Sequence, residues 1–431
     1  MNTFSIRKLY VLILCSVCVT VIDVQAQMDR RIALADKFYA NGDFYTAAQL
    51  YEQFLNPLDK KKVEGGLPLN SRRTMKGGTG PTISRMDVLY KQAESYRQAF
   101  YMLEASARYK ECFEKAADSY PAAYYWHAVC QRSLGFYDQA AASLQVFLDK
   151  YAATSPFKAA AEQELQTISF SRNQLRRPDT VLFKVRKAVT SFGAEKGVFA
   201  PAPIAGNSWL VTSTITDSPV KAGVNPYRNR LFTAELSSGA LTNVTPLSID
   251  SVRSLLNQGV ASLGAGGRFL YFTQWSREKG VTRSGIYVAS KTESGWSTPL
   301  LVSNVNVEGS NSQQPFVTAD GRFLFFSSDR SGGVGGFDLW MAPLQPDGSA
   351  GTPQHLGAAV NTKADDQAPF YDAATKTLVF ASKGLPGMGG FDLFTAHGWG
   401  GEWEAPQNMG YPVNSSRDDV YFYARSATSL L

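Results

Sequence analysis

Asp320-Gly321-Arg322-Phe323-Leu324-Phe325-Phe326-Ser327-Ser328-Asp329-Arg330 is the stretch that decides the fold. Gly266-Gly267-Arg268-Phe269-Leu270-Tyr271-Phe272 is a copy 54 residues earlier, and Thr375-Lys376-Thr377-Leu378-Val379-Phe380 follows 54 residues later. Each copy joins a turn to a largely apolar strand, as a buried strand entered from a hairpin does. A second phrase keeps the same step. Gly336-Phe337-Asp338-Leu339-Trp340 returns as Gly390-Phe391-Asp392-Leu393-Phe394, with Gly285-Ile286-Tyr287-Val288 as a weaker earlier copy. Val305-Asn306, Val360-Asn361 and Val413-Asn414 then lead into successive units. A period near 54 with three or four short strands per unit indicates a β-propeller over 179–431, one blade per unit, with each first strand nearest the axis.

Units begin near Lys196, Asn257, Gly309 and Ala364, and a fifth starts near Arg417 with room for one strand, Asp418–Arg425. Val181–Val189 is expected to donate an outer strand that closes the ring, which leaves two middle strands of the last blade missing. Half a blade exposes association-prone edges. The expectation is that the natural chain continues past Leu431 or that a partner completes the blade. Asp320-Gly321 is expected to make a hairpin turn, Asp329 and Arg330 to brace a loop, and Asp338 and Asp392 to bond nearby backbone amides. The glycine-rich turns around Asp329, Arg330, Gly335 and Gly336, and around Lys383, Gly389 and Gly390, are expected to emerge on one propeller face as the contact residues.

Residues 27–178 carry a helical repeat. Ala35, Phe38, Gly42, Ala47 and Tyr51 are followed by Ala93, Tyr96, Ala105 and Tyr109, then by Ala128, Gly135, Ala140 and Leu144. Small residues let antiparallel helices approach, and the larger residue four later fills the groove beside them. Phe157–Leu175 is expected to close the array. The insertion 56–85 holds Lys60-Lys61-Lys62, Arg72-Arg73 and a glycine-rich run at Gly77-Gly78-Thr79-Gly80. It lacks the preceding strand and the Gly-Lys-Ser/Thr helix start of a phosphate-binding loop, so nucleotide binding is rejected.

Residues 1–26 read as an export signal: Arg7 and Lys8, an apolar run from Leu9 to Ile22, and a cleavage site between Ala26 and Gln27. Three histidines in 431 residues argue against a multi-histidine metal centre or a histidine relay. The net charge of +6 is mild for this length and does not indicate nucleic acid. Cys112 and Cys130 are left after the signal, and buried thiols are favoured over a disulfide. No catalytic, cofactor or metal residue is assigned. Adjacent acids at Asp365-Asp366 and Asp418-Asp419 fall short of the six or more oxygens calcium takes. Ser327–Gly332 is similar to the Asp-containing turns of sialidase propellers, without the arginine cluster and tyrosine those enzymes need.

The helical pattern resembles the tetratricopeptide repeat, whose concave face binds a peptide or helix. Ala319–Phe323 through Ser327–Arg330 resembles the repeats of TolB-like, WD-repeat-like periplasmic propellers. Signal, tetratricopeptide-like helices and propeller, in that order, resemble OmpA-family envelope proteins of the Bacteroidota, closest in layout to the PorE-like periplasmic components of type IX secretion. The fold class implied is a multidomain α+β chain, an α-solenoid followed by a β-propeller. The resemblance implies a non-enzymatic periplasmic scaffold, associated with the outer membrane or cell wall, that binds other envelope proteins through the helical concavity and a propeller face. Peptidoglycan would be reached only through a C-terminal OmpA-like part that this sequence does not contain. The rival reading is a propeller that binds or processes glycans or wall fragments.

Overall fold

The computed structural model describes residues 30–56, 84–177, 185–192, 197–216, 227–249, 256–278, 280–426 and 429–430. The export signal, its cleavage site and nearly all of the basic insertion lie outside the described residues. Seven helices come first: α1 (30–40), α2 (Phe44–Leu55), α3 (Arg85–Gln98), α4 (Met102–Ala116), α5 (Ala122–Ser133), α6 (Tyr137–Lys150) and α7 (Lys158–Leu175). None of the described helices is long and apolar enough to cross a membrane.

The first six helices form three hairpins closed by the same backbone turn. Asp43 N–H donates to Phe38 O (3.0 Å), Tyr101 N–H to Tyr96 O (2.9 Å) and Phe136 N–H to Gln131 O (2.9 Å). This closure needs a left-handed residue just past the helix end. Gly42 (φ 81°) and Gly135 (φ 81°) supply it, but the middle hairpin uses Phe100 (φ 61°). The repeat positions read from the sequence form the core: Ala35, Ala47, Tyr51, Ala93, Ala105, Tyr109, Ala128, Ala140 and Leu144 are all buried. Two hairpins share a further device, a tyrosine hydroxyl on the second helix that donates to a carboxylate on the first, Tyr51 to Asp36 and Tyr109 to Glu94. Cys112 and Cys130 are free, buried thiols, both pushed up to about 12 by burial.

The chain divides into two compact bodies between Ala161 and Glu162, so that most of α7 falls in the second. Gln163 Nε2 donates to Lys383 O (3.3 Å), and Ser171 Oγ to Met388 O (3.4 Å). The closing helix expected for the array is therefore largely part of the second body.

Four antiparallel sheets in propeller-like arrangement make up that body. The first is β2 (Val198–Ala205), β3 (Ser208–Thr216), β4 (Tyr227–Ser237) and β5 (Ala240–Pro246), with β1 (Val189–Thr190) added in parallel to β5. The second is β6 (Asn257–Leu263), β7 (Phe269–Glu278), β8 (Val281–Thr292) and β10 (Leu300–Leu301), with β9 (Gly295–Trp296) on β8. The third is β11 (Ser312–Val317), β12 (Phe323–Ser328), β13 (Asp338–Pro343) and β14 (Gln354–His355). The fourth is β15 (Asp366–Asp372), β16 (Thr377–Ser382), β17 (Asp392–Trp399), β18 (Glu402–Trp403) and β19 (Gln407–Asn408). A short pair, β20 (Ala424–Ser426) and β21 (Ser429–Leu430), ends the chain. The repeated apolar phrases are β7, β12 and β16, the second strand of each sheet, and Leu270, Phe272, Leu324, Phe326, Leu378 and Phe380 are fully buried.

One expectation is corrected. Of Val181–Val189, the described part reaches β5 through Val189↔Ala240 and Thr190↔Leu241, so it extends the first sheet and does not complete a fifth. The exposed edge of β5 gives it backbone partners, as unpaired edges do.

Phe100 is 64% exposed and holds a backbone conformation that costs a non-glycine residue roughly 1–2 kcal/mol, partly offset by glycine's entropy cost in the unfolded chain. Phe100→Gly is expected to raise the stability of the helical body by about 0.5–1 kcal/mol in urea unfolding, whereas Gly135→Phe should lower it. A loss of stability in Phe100→Gly would show that Phe100 earns its place by packing.

Candidate functional site

The candidate contact residues sit where one blade meets the next. At or just before the first strand of the second, third and fourth sheets, and again at Asp418, stands an amide or carboxylate that accepts an N–H from the start of the third strand of the sheet before. Asn229 N donates to Asn257 Oδ1 (2.9 Å), Ser284 N to Asn311 Oδ1 (2.9 Å), Phe337 N to Asp365 Oδ1 (3.1 Å) and Phe391 N to Asp418 Oδ1 (3.0 Å). A second series bonds both polar groups of a third-strand residue. Asn306 Oδ1 accepts from Ile286 N (2.9 Å) while its Nδ2 donates to Ile286 O (2.9 Å). Asn361 does this for Leu339 and Asn414 for Leu393. A primary amide thus replaces a strand neighbour where no strand runs.

The glycine-rich turns are shaped by these joints. The loop after β12 wraps over Asp338, whose Oδ2 accepts from Val334 N and Gly335 N (3.4 Å). The loop after β16 does the same for Asp392, which accepts from Met388 N and from Gly389 N (2.8 Å). A β-carbon on Gly335 would stand 2.5 Å from Ala364 O, and one on Gly389 would stand 2.8 Å from the Arg417 carbonyl carbon. One on Gly336 or Gly390 would collide with the Asp365 or Asp418 carboxylate. At these four glycines one blade closely approaches the next; Gly335 and Gly336 are exposed as well, and Gly389 and Gly390 are half-buried.

Asp329 and Arg330 brace their loop. Asp329 accepts from Asn311 N (2.6 Å) and Asn311 Nδ2 (2.8 Å). Arg330 is buried, lies over Phe326 and Trp340, and donates to Asn304 O (3.2 Å), Val305 O and Ser312 Oγ (3.3 Å). Burial pulls its guanidinium down to about 10, so it stays charged at neutral pH. Lys383 stands 3.5 Å from Asp365 and over the Phe391 ring.

The inner strands enclose a channel of about 980 Å³. Segments of β2, β6, β11 and β15 line it, and Tyr421, Phe422, Tyr423 and Ala424 supply a fifth wall. Its surface is largely alanine, proline and aromatic. Each of the four inner strands carries one left-handed residue, Ala200 (φ 52°), Val260 (φ 47°), Gln314 (φ 57°) and Ala368 (φ 51°), at a break in pairing with the second strand. The bulge frees an N–H that reaches the preceding blade: Val260 N to Thr212 Oγ1 (3.0 Å) and Gln314 N to Thr273 Oγ1 (2.9 Å). At the next joint Gln314 Oε1 bridges Ser327 Oγ (3.1 Å) and Ala368 N (3.0 Å). Among the described lining residues the carboxylates are Asp320 and Asp372. Asp320 holds its own turn through Thr318 and Arg322, and Asp372 through Ala374 and Thr375. Among the described residues no three His, Cys, Asp or Glu side chains converge as a metal site would require.

Sequence reasoning missed the Asn257, Asn311, Asp365, Asp418 series and the Thr212 and Thr273 bonds. The first was detectable, because its steps are 54, 54 and 53 residues.

No family model matches the chain, and no curated protein matches it. Solved structures with some likeness include TolB from Acinetobacter baumannii, at 17% identity over 50% of this chain, with a TM-score of 0.28. The chain spans 42% of the length of that TolB. An α-L-arabinofuranosidase from Podospora anserina is 15% identical over 54% of this chain and 73% of its own, with a TM-score of 0.33. A xylan β-1,4-xylosidase from Bacillus halodurans is 10% identical over 54% and 47%, with a TM-score of 0.35.

The joints generate two predictions. Gly389→Ala forces a methyl group against backbone and should cost about 1–3 kcal/mol in unfolding of the second body, with Gly335→Ala behaving alike; unchanged midpoints would show that the joints give way freely. The second concerns pH. Burial raises Asp366 to about 6 against the hydrogen bonds of Ser382 and Thr362, and Asp338 nearby adds to the rise; Asp419 is raised to about 6 in the same way, beside Asp392 and Asp418. A carboxyl whose folded value exceeds its unfolded value contributes stability that is full below the unfolded value near 4 and lost as pH climbs through about 6. Asp366→Asn and Asp419→Asn should therefore gain melting temperature relative to wild type at pH 7.5 more than at pH 5. Parallel wild-type and variant curves across that range would contradict the assignment.

Proposed function

We propose that the chain is a non-enzymatic scaffold of the bacterial envelope, in which the helical body and the propeller each hold another protein. In this reading the helices act as a tetratricopeptide-like array, the mature chain begins at Gln27 in the periplasm, and the assembly sits at the outer membrane or cell wall. It serves envelope organisation, or protein secretion of the type IX kind.

The observation that carries this reading is how the polar side chains of the propeller are used. Asp329, Arg330, Asp338, Asp365, Asp392 and Asp418 hold backbone or joint geometry. The glycan-processing alternative calls for a pair of carboxylates facing a sugar across the channel. Asp320 and Asp372 instead cap their own turns. The helical body, in contrast, presents Tyr45, Phe100, Tyr101, Leu103 and Phe136 in the open near its hairpin turns. Exposed aromatics of this kind suit protein contact more than catalysis.

Cell fractionation with in situ crosslinking tests the proposal. The expected outcome is a periplasmic chain, processed at Ala26, that retains specific envelope proteins through washing. Loss of those partners in Phe100→Asp/Leu103→Asp, with helical content intact by circular dichroism, would assign the contact to the helical body. A chain that crosslinks to no protein but binds soluble wall glycans saturably would overturn it.

A further inference from the structure

The hairpin turns of the helical body carry one sign of charge. Residues 38–51 hold Asp43 alone among charged residues, residues 98–107 hold Glu104 alone and residues 133–148 hold Asp138 alone. Each acid stands at the cap or in the first turn of the second helix, where the helix dipole suits it. The apolar residues beside them have no such explanation. Tyr45, Phe100, Tyr101, Leu103 and Phe136 are all exposed. Tyr101 and Phe136 hold the same place in successive hairpins, each donating its N–H to the carbonyl five residues earlier.

These side chains gather at the middle turn. The Tyr101 ring centre lies 4.8 Å from that of Tyr45 in the first hairpin and 6.3 Å from that of Tyr96. Glu104 belongs to the same cluster: burial raises the Tyr96 hydroxyl, and the charges of Glu52 and Glu104 add to the rise. Among the described residues no cation pairs with Glu104. Arg108, the next basic residue along α4, is held by Glu52 (3.0 Å) and Glu111 (3.3 Å). Phe100 adds strain. Its counterparts in the other turns are Gly42 and Gly135, whereas Phe100 keeps a φ of 61° with its side chain exposed. Strain of this kind collects where a side chain is used.

We propose that the middle turn docks a short amphipathic segment of a partner protein. Its apolar side chains cover Phe100 and Leu103, and its arginine stacks on Tyr101 and Tyr45 and pairs with Glu104. An acidic, aromatic turn without a cation of its own is complementary to that chemistry. The helical body already uses the combination once: Arg97 lies 3.8 Å from the centre of the Trp126 ring and pairs with Glu94 at 2.6 Å. The proposal rests on the scaffold reading and names the class of partner that the helical body takes.

Two fluorescent peptides serve as probes, one a triple repeat of Leu-Arg-Ala-Leu and the other a triple repeat of Leu-Glu-Ala-Leu. Titrated into the full chain, the arginine peptide is expected to saturate at one-to-one, and the glutamate peptide to bind at least about tenfold more weakly. Glu104→Arg should reverse that order, and Leu103→Asp should weaken both, with helical content unchanged by circular dichroism. Phe100→Gly decides between a structural and a binding role. Relieved of strain, it should melt no lower than wild type yet bind the arginine peptide at least about fivefold more weakly. Absence of saturation, an order that Glu104→Arg leaves unchanged, or full affinity in Phe100→Gly would overturn the proposal. So would Phe100-dependent binding to vesicles of equal phosphatidylcholine and phosphatidylglycerol in place of the peptide, since a membrane would then be the occupant. A dimer in sedimentation that Leu103→Asp dissolves would overturn it too, in favour of a second copy. Any of these results with envelope proteins still crosslinked to the chain leaves the scaffold reading standing, whereas a chain that crosslinks to no protein ends both.

Discussion

Successive blades are joined through side chains, because no strand ladder runs from one blade to the next. That constraint governs the rest of the second body. Isolated backbone bonds do cross, such as Asp366 N to Phe337 O (2.7 Å) and Gly336 N to Ala364 O (3.1 Å), but they leave further N–H groups at the start of each third strand for side chains to accept. An unsatisfied buried donor costs on the order of 1–3 kcal/mol, and the arrangement contains several such donors. Asn257, Asn311, Asp365 and Asp418 answer one set, and Asn306, Asn361 and Asn414 the other. Both require a short side chain held close to foreign backbone, and that closeness excludes a β-carbon at Gly335, Gly336, Gly389 and Gly390. The glycine-rich phrases are a consequence of the joint chemistry.

Residue types that suggest catalysis are thus committed to architecture. Asp338, Asp366 and Asp392 are almost wholly buried, a position carboxylates take only with dedicated partners. Here the partners are peptide N–H groups, Thr362, His355 and Asn408. His355 Nδ1 accepts from Gly357 N (3.1 Å), and its Nε2 stands between Asn361 Nδ2 (2.9 Å) and Asp338 Oδ2 (3.3 Å). At the next joint Asn408 Nδ2 donates to Asp392 (2.9 Å). Asn408 Oδ1 accepts from Gly410 N (2.8 Å) and Asn414 Nδ2 (2.8 Å), so a neutral amide occupies at this joint the place that the imidazole occupies at the other.

The architecture was legible because it repeats. The 54-residue step, the apolar second strands and the buried alanines of the helical hairpins all follow from periodicity, and each residue named for them lies where the period puts it. Asp320-Gly321 forms its turn with Gly321 at φ 71°, and Asp329, Arg330, Asp338 and Asp392 hold local backbone as expected. The use of the glycine-rich loops was not legible. A glycine needed for a free turn and a glycine needed for close approach look alike in one sequence, and only the position of Thr362, Ala364 and Arg417 separates them. The pairing of Val189 with Ala240 joins distant segments without a repeat, and α7 likewise showed helical spacing but not which body it covers.

One exchange between joints shows that the lock is chosen by complementarity and not by residue type. At the second joint the accepting side chain is Asn311, and position 329 holds an aspartate that accepts both Asn311 N and Asn311 Nδ2. One period later Asp365 stands in place of Asn311, and Lys383 stands in place of Asp329. Had the carboxylate been kept at the later position, it would face Asp365 across the same gap, and like charges at that range repel. The two positions have changed together, so that an N–H is accepted at each joint and the accepting side chain is itself held by a group of opposite character. The backbone geometry is the invariant, and the side chains at 311 and 329, or at 365 and 383, are two solutions to it.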